Sequence, residues 1–313
     1  MADSEDGVWT KGFGDWCLPN SNVWEDFYGC PYAVDTSLFF AFSGIMAEIA
    51  DLLGERQDAK MFRDMGSKIQ HSYIDRYWHE NGVMGDGRQP EMLLPLFYGV
   101  LTGEKAEKTK TALVAKIEQD GFFDVGGFGI RTIIPVLADA NALTLFMTTV
   151  RKNTYPGYGY LVAMGATTMW EQWAKKGSMH SHSHAMHSGI CAALYHVLCG
   201  VVPTAPAFKR FSITPKLPEE MSYVGCGIDT YSGRIEVNIE RLGDCLNLFF
   251  VVPPNTQAVI TIPEYEKYQD CVLYDGERIV EKKETITLGS GSYQFRLVPE
   301  KYVTFKAYDN WDC

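Results

Sequence analysis

Apolar positions in the first two thirds of the chain recur at steps of three and four residues, which is the period of an amphipathic helix. The first such run comprises Leu38, Phe42, Ile45, Ile49 and Leu52. Asp35 and Thr36 are candidate caps at its start, and Gly54 is suited to end it. After a short polar turn, the period returns at Ala59, Phe62, Met65, Ile69 and Tyr73. We therefore expect two long helices that form one αα-hairpin.

The helical period recurs several times before residue 200. Further apolar runs lie at 93–100, 113–117, 130–137, 143–150 and 186–197. Pro135 lies inside one of them, where it either kinks a helix or occupies its first turn. Gly200 and Pro203 follow the last run and stop it. The pattern predicts about eight helices in antiparallel pairs, each with one apolar face.

From about Val202 the period of the apolar positions changes to two, which is typical of half-buried strands. The alternating positions are Ile235, Val237 and Ile239, then Leu248, Phe250 and Val252, then Ala258, Ile260 and Ile262. Asp275-Gly276 between two apolar runs is a strong hairpin signal. We expect an antiparallel β-sandwich behind the helices, with a helical domain over residues 1–203 and a β domain over residues 204–313.

Composition narrows the classes of partner. The net charge is −11 and the sequence pI is about 5.1, which argues against nucleic acids and anionic membranes, since both demand a basic surface. No apolar run approaches the ~20 residues of a membrane span, and the start MADSEDGVW lacks the features of a secretory signal. We expect a soluble protein that needs no cofactor, because no P-loop, H-E-x-x-H or G-x-S-x-G motif occurs. The sequence does not indicate the cellular compartment.

The strongest candidate chemistry lies between Gly165 and His184. Glu171 stands between Trp170 and Trp173 in the stretch GATTMWEQW. The flat faces of a sugar stack on aromatic rings, and a carboxylate can take a proton from water. The alternative is that both tryptophans are core residues at helical spacing and that Glu171 is a solvated helix residue.

Two further stretches could contribute to a sugar site. GFGDW at 12–16 could place Asp15 and Trp16 in a cleft, or Asp15 could cap a turn while Trp16 packs in the core. YPGYGY at 155–160 offers Tyr158 as a lining residue, or forms a packed loop. GGFGIR at 126–131 is expected to be a loop that enters a helix.

Four histidines, at positions 180, 182, 184 and 187, follow within a short stretch. Alternating histidines can ligate a metal in an extended segment, but no second acid–histidine pair with metal-ligand spacing accompanies them. We therefore favour a single histidine, His184, that forms a hydrogen bond with a substrate hydroxyl, and we expect no metal.

The order of these motifs resembles that of the bacterial-type α-L-rhamnosidases, glycoside hydrolase family 78, in their C-terminal portion. The resemblance covers residues from about 10 to 262. The matching stretches are GFGDW (12–16), GIMAEIADLLG (44–54), GFGIRTIIPVLAD (127–139), TYPGYGY (154–160), GATTMWEQW (165–173), SHSHA (181–185), LYHVLCGVVP (194–203) and FKRFSITPKLP (208–218).

The resemblance implies part of an (α/α)₆ toroid of the six-hairpin glycosidase kind, followed by a β-sandwich. It implies hydrolysis of terminal non-reducing α-L-rhamnose residues of glycosides or polysaccharides, with inversion. Glu171 is then the general base, and the sugar site includes Asp15, Trp16, Tyr158, Trp170, Trp173 and His184. An inverting pair of carboxyl groups stands about 6.5–9.5 Å apart, which leaves room for the attacking water.

The sequence departs from the family in one way that matters. The family's general acid is a glutamate in an Asp-Glu-Arg stretch upstream, and no Asp-Glu-Arg occurs here. Asp15, Glu25 and Asp26 do not match its surroundings, and Gln172 and Ser183 replace the usual Arg and Asn. We therefore expect a fragment whose partner is the missing N-terminal half of the same enzyme. The alternatives are a non-catalytic carbohydrate-binding relic and a six-hairpin glycosidase for another sugar.

Overall fold

The computed structural model describes residues 4–19, 28–174, 181–275 and 278–302. Contacts between residues divide the chain into two units, Met1–Ala192 and Ala193–Cys313. The predicted domain boundary between residues 203 and 204 stays a prediction. The helical signal and the alternating signal of the sequence fall largely into separate units, as expected for an α domain followed by a β domain.

Eight α-helices are described before residue 200, which confirms the predicted fold class. They are α1 (Pro31–Leu53), α2 (Arg56–Tyr77), α3 (Gln89–Phe97), α4 (Gly103–Asp120), α5 (Ile130–Asp139), α6 (Leu143–Val150), α7 (Tyr158–Ala163) and α8 (Gly189–Val197). Helix α3 packs against both α1 and α5, while α2, α4 and α6 pack against α1, α3 and α5 respectively. Successive hairpins therefore place α1, α3 and α5 in one layer and α2, α4 and α6 in another.

Helix α1 begins earlier than the sequence pattern indicates. Pro31 occupies the first turn, where its fixed φ suits a helix, and Cys30 before it has a left-handed φ of 56°. The predicted caps serve the N-terminal segment instead. The Asp35 carboxylate accepts a hydrogen bond from Gly14 N at 3.2 Å, and Thr36 Oγ1 accepts one from Trp9 N at 3.0 Å. Both side chains thus tie the segment before α1 to the side of the helix.

Four short strands order the N-terminal segment. They form two antiparallel pairs, β1 (Ser4–Glu5) with β2 (Val8–Trp9) and β3 (Asp15–Trp16) with β4 (Tyr28–Gly29). Strand β3 fixes the backbone of the GFGDW motif, because Asp15 lies opposite Gly29 in the pair. Asp15 and Trp16 of the motif therefore lie in a paired strand rather than in an irregular turn.

Helix α1 also carries an exposed apolar stripe, defined by Phe42, Ile45, Met46, Ile49, Leu52 and Leu53. These positions follow three- and four-residue steps, so they lie along one face of the helix. By length and composition α1 is long and apolar enough to cross a membrane, a test that core helices of soluble proteins also pass. Among the described helices, it alone passes that test.

The second unit is built from β-strands. They are β5 (Val201–Pro203), β6 (Arg210–Ile213), β7 (Tyr223–Thr230), β8 (Gly233–Leu242), β9 (Cys245–Val252), β10 (Gln257–Thr261), β11 (Cys271–Asp275), β12 (Arg278–Val280), β13 (Thr285–Leu288) and β14 (Gly291–Pro299). One sheet has the order β13-β10-β6-β5 and the other β12-β11-β14-β9-β8-β7. The described pairings are antiparallel apart from β6 with β10, which run parallel.

Burial in these strands follows the predicted alternation. Ile235, Val237 and Ile239 of β8 are buried, and so are Leu248, Phe250 and Val252 of β9. The predicted hairpin is present, since β11 pairs with β12 through Asp275 and Arg278; Gly276 lies outside the described residues. One apolar face on each sheet gives the core of a β-sandwich.

Candidate active site

The carboxylate of Asp15 is enclosed by backbone rather than open to solvent. The residue is 0 % exposed. It accepts hydrogen bonds from the N–H groups of Gly126 (2.7 Å), Phe128 (2.9 Å) and Gly129 (2.9 Å). Burial raises the pKa of Asp15 to about 6, although these three hydrogen bonds act in the opposite direction. Asp15 therefore has no surface through which a ligand in solution can touch it.

Trp16 follows Asp15 and remains partly accessible. Its ring meets the ring of Phe13 edge to face at 6.0 Å between centroids. Its carbonyl oxygen accepts a hydrogen bond from Gly127 N at 2.9 Å. The strand that carries Trp16 is thus joined to the loop at 126–129 through both residues of β3.

The stretch that carries Glu171 is not helical, in contrast to the alternative of helical core packing. Residues 165–174 form turns and bends. Trp170 and Trp173 are nevertheless buried, at 4 % and 2 % exposed, while Glu171 between them is partly exposed. The N–H of Glu171 donates a hydrogen bond to Ser181 O at 3.1 Å, which ties it to the histidine segment. Glu171 is thus a partly exposed acid between two buried indoles.

An aromatic cluster, defined by Tyr158, Trp170, Trp173 and His187, supports this stretch. The Trp173 ring lies 5.2 Å from Tyr158 and 4.2 Å from His187 between centroids. Tyr158 donates its hydroxyl hydrogen to His187 O at 2.6 Å, and His187 Nδ1 lies 3.1 Å from Trp170 O. A carbonyl oxygen can only accept, so Nδ1 carries the proton of the His187 ring. The cluster fixes both sides of Glu171.

His184 differs from His187 in both exposure and hydrogen bonding. It is partly exposed, and its backbone N–H donates to Met169 O at 2.8 Å. Its Nδ1 accepts a hydrogen bond from Met186 N at 3.0 Å, so in the neutral ring Nε2 carries the proton. His184 can therefore donate a hydrogen bond to a hydroxyl oxygen through Nε2, as the sequence predicts for a substrate contact.

The remaining histidines give no metal centre in the part of the chain that is described. The His182 ring lies 5.1 Å from that of Trp170, and His180 lies outside the described residues. No group of three or more His, Cys, Asp or Glu side chains suited to a metal ion occurs among the described residues.

The Cys17 thiol interacts electrostatically with an acid of the GFGDW segment and with the acid of the GATTMWEQW stretch. Burial, together with the charges of Glu171 and Asp15, raises the pKa of the Cys17 thiol to about 12. Both carboxylates are therefore close enough to the thiol to repel its ionised form. Sequence reasoning missed this contact, because a lone cysteine after Trp16 carries no motif of its own.

Three other residues near the site were also missed. Trp173 Nε1 donates to Val125 O at 3.1 Å, so the residue before the 126–129 loop anchors the buried indole. Arg88 forms a two-pronged ion pair with Asp124, with N–O distances of 3.0 and 3.1 Å. The sequence could indicate only that the N–H of a buried indole requires an acceptor. It does not say which carbonyl supplies that acceptor.

The predicted site residues thus fall into two sets. Tyr158, Trp170 and Trp173 come together in the aromatic cluster, with Glu171 and His184 attached through backbone hydrogen bonds. Asp15 and Trp16 reach the same region through the 126–129 loop and through Cys17. All seven residues lie within the first unit.

Comparison with protein families assigns both parts of the chain. Residues 2–198 match the bacterial α-L-rhamnosidase six-hairpin glycosidase domain, and residues 200–271 match the bacterial α-L-rhamnosidase C-terminal domain. The first match alone covers more than half of the 313 residues.

Individual relatives and solved structures to which the chain is similar come from the same family. An α-L-rhamnosidase of Formosa agariphila is 27 % identical over 265 residues, which is 81 % of this chain and 28 % of the relative. An α-L-rhamnosidase of Alteromonas sp. is 27 % identical over 91 % of this chain and 32 % of its own length. The solved α-L-rhamnosidase of Dictyoglumus thermophilum superimposes with a TM-score of 0.85 at 26 % identity, over 93 % of this chain and 34 % of that one. The chain thus spans about a third of the length of these relatives.

Proposed function

The chain belongs to the bacterial α-L-rhamnosidase six-hairpin glycosidase family, and on that premise we propose that it carries the general-base half of an inverting α-L-rhamnosidase site. The substrates are terminal non-reducing α-L-rhamnose residues of glycosides or polysaccharides. The observation that supports this most directly is the partly exposed Glu171 between two buried tryptophans.

In the proposed reaction, Glu171 takes a proton from a water molecule as that water attacks the anomeric carbon. The bond to the leaving oxygen breaks on the opposite face, so the configuration inverts. His184 donates a hydrogen bond from Nε2 to a sugar hydroxyl, and Trp16 offers a partly exposed ring for stacking. Tyr158, Trp170 and Trp173 hold the stretch around Glu171 in place, and Asp15 shapes the site from behind.

Protonation of the leaving oxygen requires a second carboxyl group. In the family this group belongs to an Asp-Glu-Arg stretch, which the present sequence does not contain. We propose that a separate portion of the same enzyme, equivalent to the N-terminal half of the relatives, supplies that acid. A non-catalytic carbohydrate-binding protein is the second candidate, because the sequence lacks this motif.

The test uses the 313-residue chain with 4-nitrophenyl α-L-rhamnoside and a panel of other 4-nitrophenyl glycosides. The 4-nitrophenolate leaving group departs without being protonated, so the general base can be assayed without the missing acid. Turnover of the rhamnoside alone, with β-L-rhamnose as the first product by ¹H NMR, supports the catalytic proposal. Binding of L-rhamnose without turnover supports the carbohydrate-binding candidate. Neither binding nor turnover of any rhamnoside overturns both.

The role of Glu171 is tested by Glu171→Gln in whichever preparation turns over. We expect turnover to fall by about 10²- to 10⁴-fold with little change in rhamnose affinity, because the amide keeps the shape but cannot accept the water proton. The matched control is Glu118→Gln, an exposed glutamate on α4. Retention of most turnover by Glu171→Gln would show that another group is the base.

A further inference from the structure

Four consecutive backbone N–H groups, those of residues 126 to 129, donate hydrogen bonds to the dipeptide Asp15-Trp16. Three go to the Asp15 carboxylate and the fourth, from Gly127, goes to Trp16 O. The next residue, Ile130, starts α5 and donates to Gly126 O at 3.0 Å. The loop therefore has the form of an anion-binding nest at a helix start, and the anion it holds is a side chain of the same chain.

The loop needs glycine at both ends of this contact. A Cβ on Gly126 would lie 2.1 Å from Trp16 O, and a Cβ on Gly129 would lie 2.6 Å from Asp15 Oδ2. Neither glycine has a positive φ, so close approach rather than backbone conformation requires them. The glycines of GGFG therefore allow the loop backbone to approach the buried carboxylate closely.

The same loop touches the opposite wall of the proposed site. Val125, which precedes it, accepts the indole hydrogen bond of Trp173. A Cβ on Gly127 would lie 2.5 Å from Met186 Cγ, so Gly127 packs on the residue whose N–H binds His184. The loop is the structural link between the strand that carries Trp16 and the segments that carry Trp173 and His184.

We propose that Asp15 is a positioning residue, whose carboxylate locks the 126–129 loop and so sets the spacing of Trp16 from the Trp173–His184 wall. It does this without contact with the sugar. The inference rests on the proposed function only for its effect on sugar binding; the lock itself is a property of the fold.

The lock requires both carboxylate oxygens as acceptors. Asparagine has the same shape but only one acceptor, so an NH₂ group would face at least one loop N–H. A buried donor left without an acceptor destabilises the closed loop, because it has left water without gaining a partner. Burial raises the pKa of Asp15 to about 6, so at pH 7.5 the carboxylate is ionised and both of its oxygens can accept. A neutral amide in its place should therefore loosen the loop at that pH.

The experiment must distinguish the effect of Asp15 from the effects of the charged and titratable groups near it. The groups that interact with its carboxylate are Cys17 after β3, Cys30 before α1, Arg88 before α3, Tyr98 after α3 and Asp124 before the loop. Arg88 and Asp124 are paired with each other, and burial raises the pKa values of both thiols and of Tyr98. Asp124 is the remaining acid whose pKa is raised, so it needs its own variant.

The experiment measures amide hydrogen exchange of residues 125–130 in the full chain, corrected for intrinsic rates. In Asp15→Asn we expect exchange at 126–129 to accelerate about tenfold or more, while peptides from α2 and α4 stay protected. Gly129→Ala, whose new Cβ would lie 2.6 Å from Asp15 Oδ2, should show the same local change, which keeps the test valid should Asp15→Asn fold poorly. Asp139→Asn, an exposed acid on α5, and Asp124→Asn are the controls.

Unchanged protection of 126–129 in both Asp15→Asn and Gly129→Ala would overturn the lock, and so would an equal acceleration in Asp124→Asn. The sugar arm measures L-rhamnose affinity by tryptophan fluorescence, where Asp15→Asn should bind at least about tenfold more weakly. Full affinity with an open loop would overturn the positioning role. No rhamnose binding by the wild-type chain would instead overturn the proposed function, while the exchange data still decide the lock.

Discussion

His187 is a buried imidazole in which one ring nitrogen is hydrogen-bonded and the other is not, among the described residues. Its Nδ1 is paired with Trp170 O, but Nε2 has no hydrogen-bond partner among the described residues. Burial, with a smaller contribution from the nearby His184, lowers its pKa to about 4. The ring is therefore neutral at neutral pH, and it packs against Trp173 rather than acting as an acid or base.

This lowered pKa makes His187 a source of acid sensitivity. An unfolded histidine has its ordinary pKa near 6.5, so below that value the unfolded chain binds a proton that the folded chain refuses. The stability that His187 contributes is complete above pH 6.5 and is lost as the pH falls toward 4. We expect His187→Asn to flatten this part of the pH dependence in urea unfolding, because the amide does not titrate.

The comparison must be made as a difference between the variant and the wild-type chain. Asp15 works in the opposite direction, since its raised pKa makes the folded chain bind a proton earlier than the unfolded chain and stability falls as the pH rises from 3.8 to about 6. The difference curve cancels that contribution. His71→Asn, an exposed histidine paired with Asp75, is the control and should change little. An identical slope in His187→Asn and the wild type would contradict the assignment.

At the scale of elements, the loop that enters α5 carries most of the connections of the proposed site. Its glycines meet different neighbours, which gives a matched pair of substitutions. A Cβ on Gly126 would meet the backbone oxygen of Trp16 at 2.1 Å, whereas a Cβ on Gly127 would meet the flexible side chain of Met186 at 2.5 Å. A side chain can rotate away from a new methyl group, but a strand backbone cannot.

We therefore expect Gly126→Ala to lower the unfolding free energy by about 2 kcal/mol or more, and Gly127→Ala by about 1 kcal/mol or less. Urea unfolding followed by tryptophan fluorescence measures both. The conformational cost of the two substitutions is similar, since neither glycine has a positive φ. Equal losses in the two variants would mean that the close approach to Trp16 O does not constrain the loop.

The same elements explain how far sequence reasoning reaches. The alternation in β8 and β9 was predictable, because burial of one face imposes a fixed period on the sequence. The period of α1 predicted a helix correctly, but the apolar face that carries this period is exposed in this chain. The start of α1 was not, because Asp35 and Thr36 have side chains suited to capping but use them on Gly14 and Trp9. Local propensity cannot tell which of several donors a polar side chain will meet after folding.

The candidate site was predictable as a set of residue types and not as a geometry. The stretch from Trp170 to Trp173 suggested either a helix or a sugar site, and the structure shows buried indoles in a bent segment with an accessible acid between them. Asp15 is a clearer case. Its place in the motif GFGDW indicated a residue near the sugar, but contacts with residues more than a hundred positions away decide that it is enclosed.

At the scale of the whole molecule, the outer surface of α1 is unusual. The apolar stripe from Phe42 to Leu53 is exposed along the C-terminal half of a 23-residue helix, and Leu52 is 87 % exposed. Soluble monomers rarely expose contiguous apolar patches larger than a few hundred Å². We expect the 313-residue chain on its own to self-associate as its concentration rises, and to bind a hydrophobic dye in proportion to this stripe.

The substitutions Ile45→Lys and Leu52→Lys together should keep the chain monomeric in sedimentation velocity and reduce dye binding. The new Lys at position 52 would follow Glu48 by four residues, a spacing that supports the helix, so stability should be maintained. Two added lysines also reduce the magnitude of the net charge of −11, which by itself favours association, so a gain in monomer must come from the lost apolar surface. Tyr231→Lys, at a fully exposed aromatic in the second unit, changes charge in the same direction and is the control. Association that persists in the double variant, or that Tyr231→Lys relieves equally, would show that α1 is not the surface responsible.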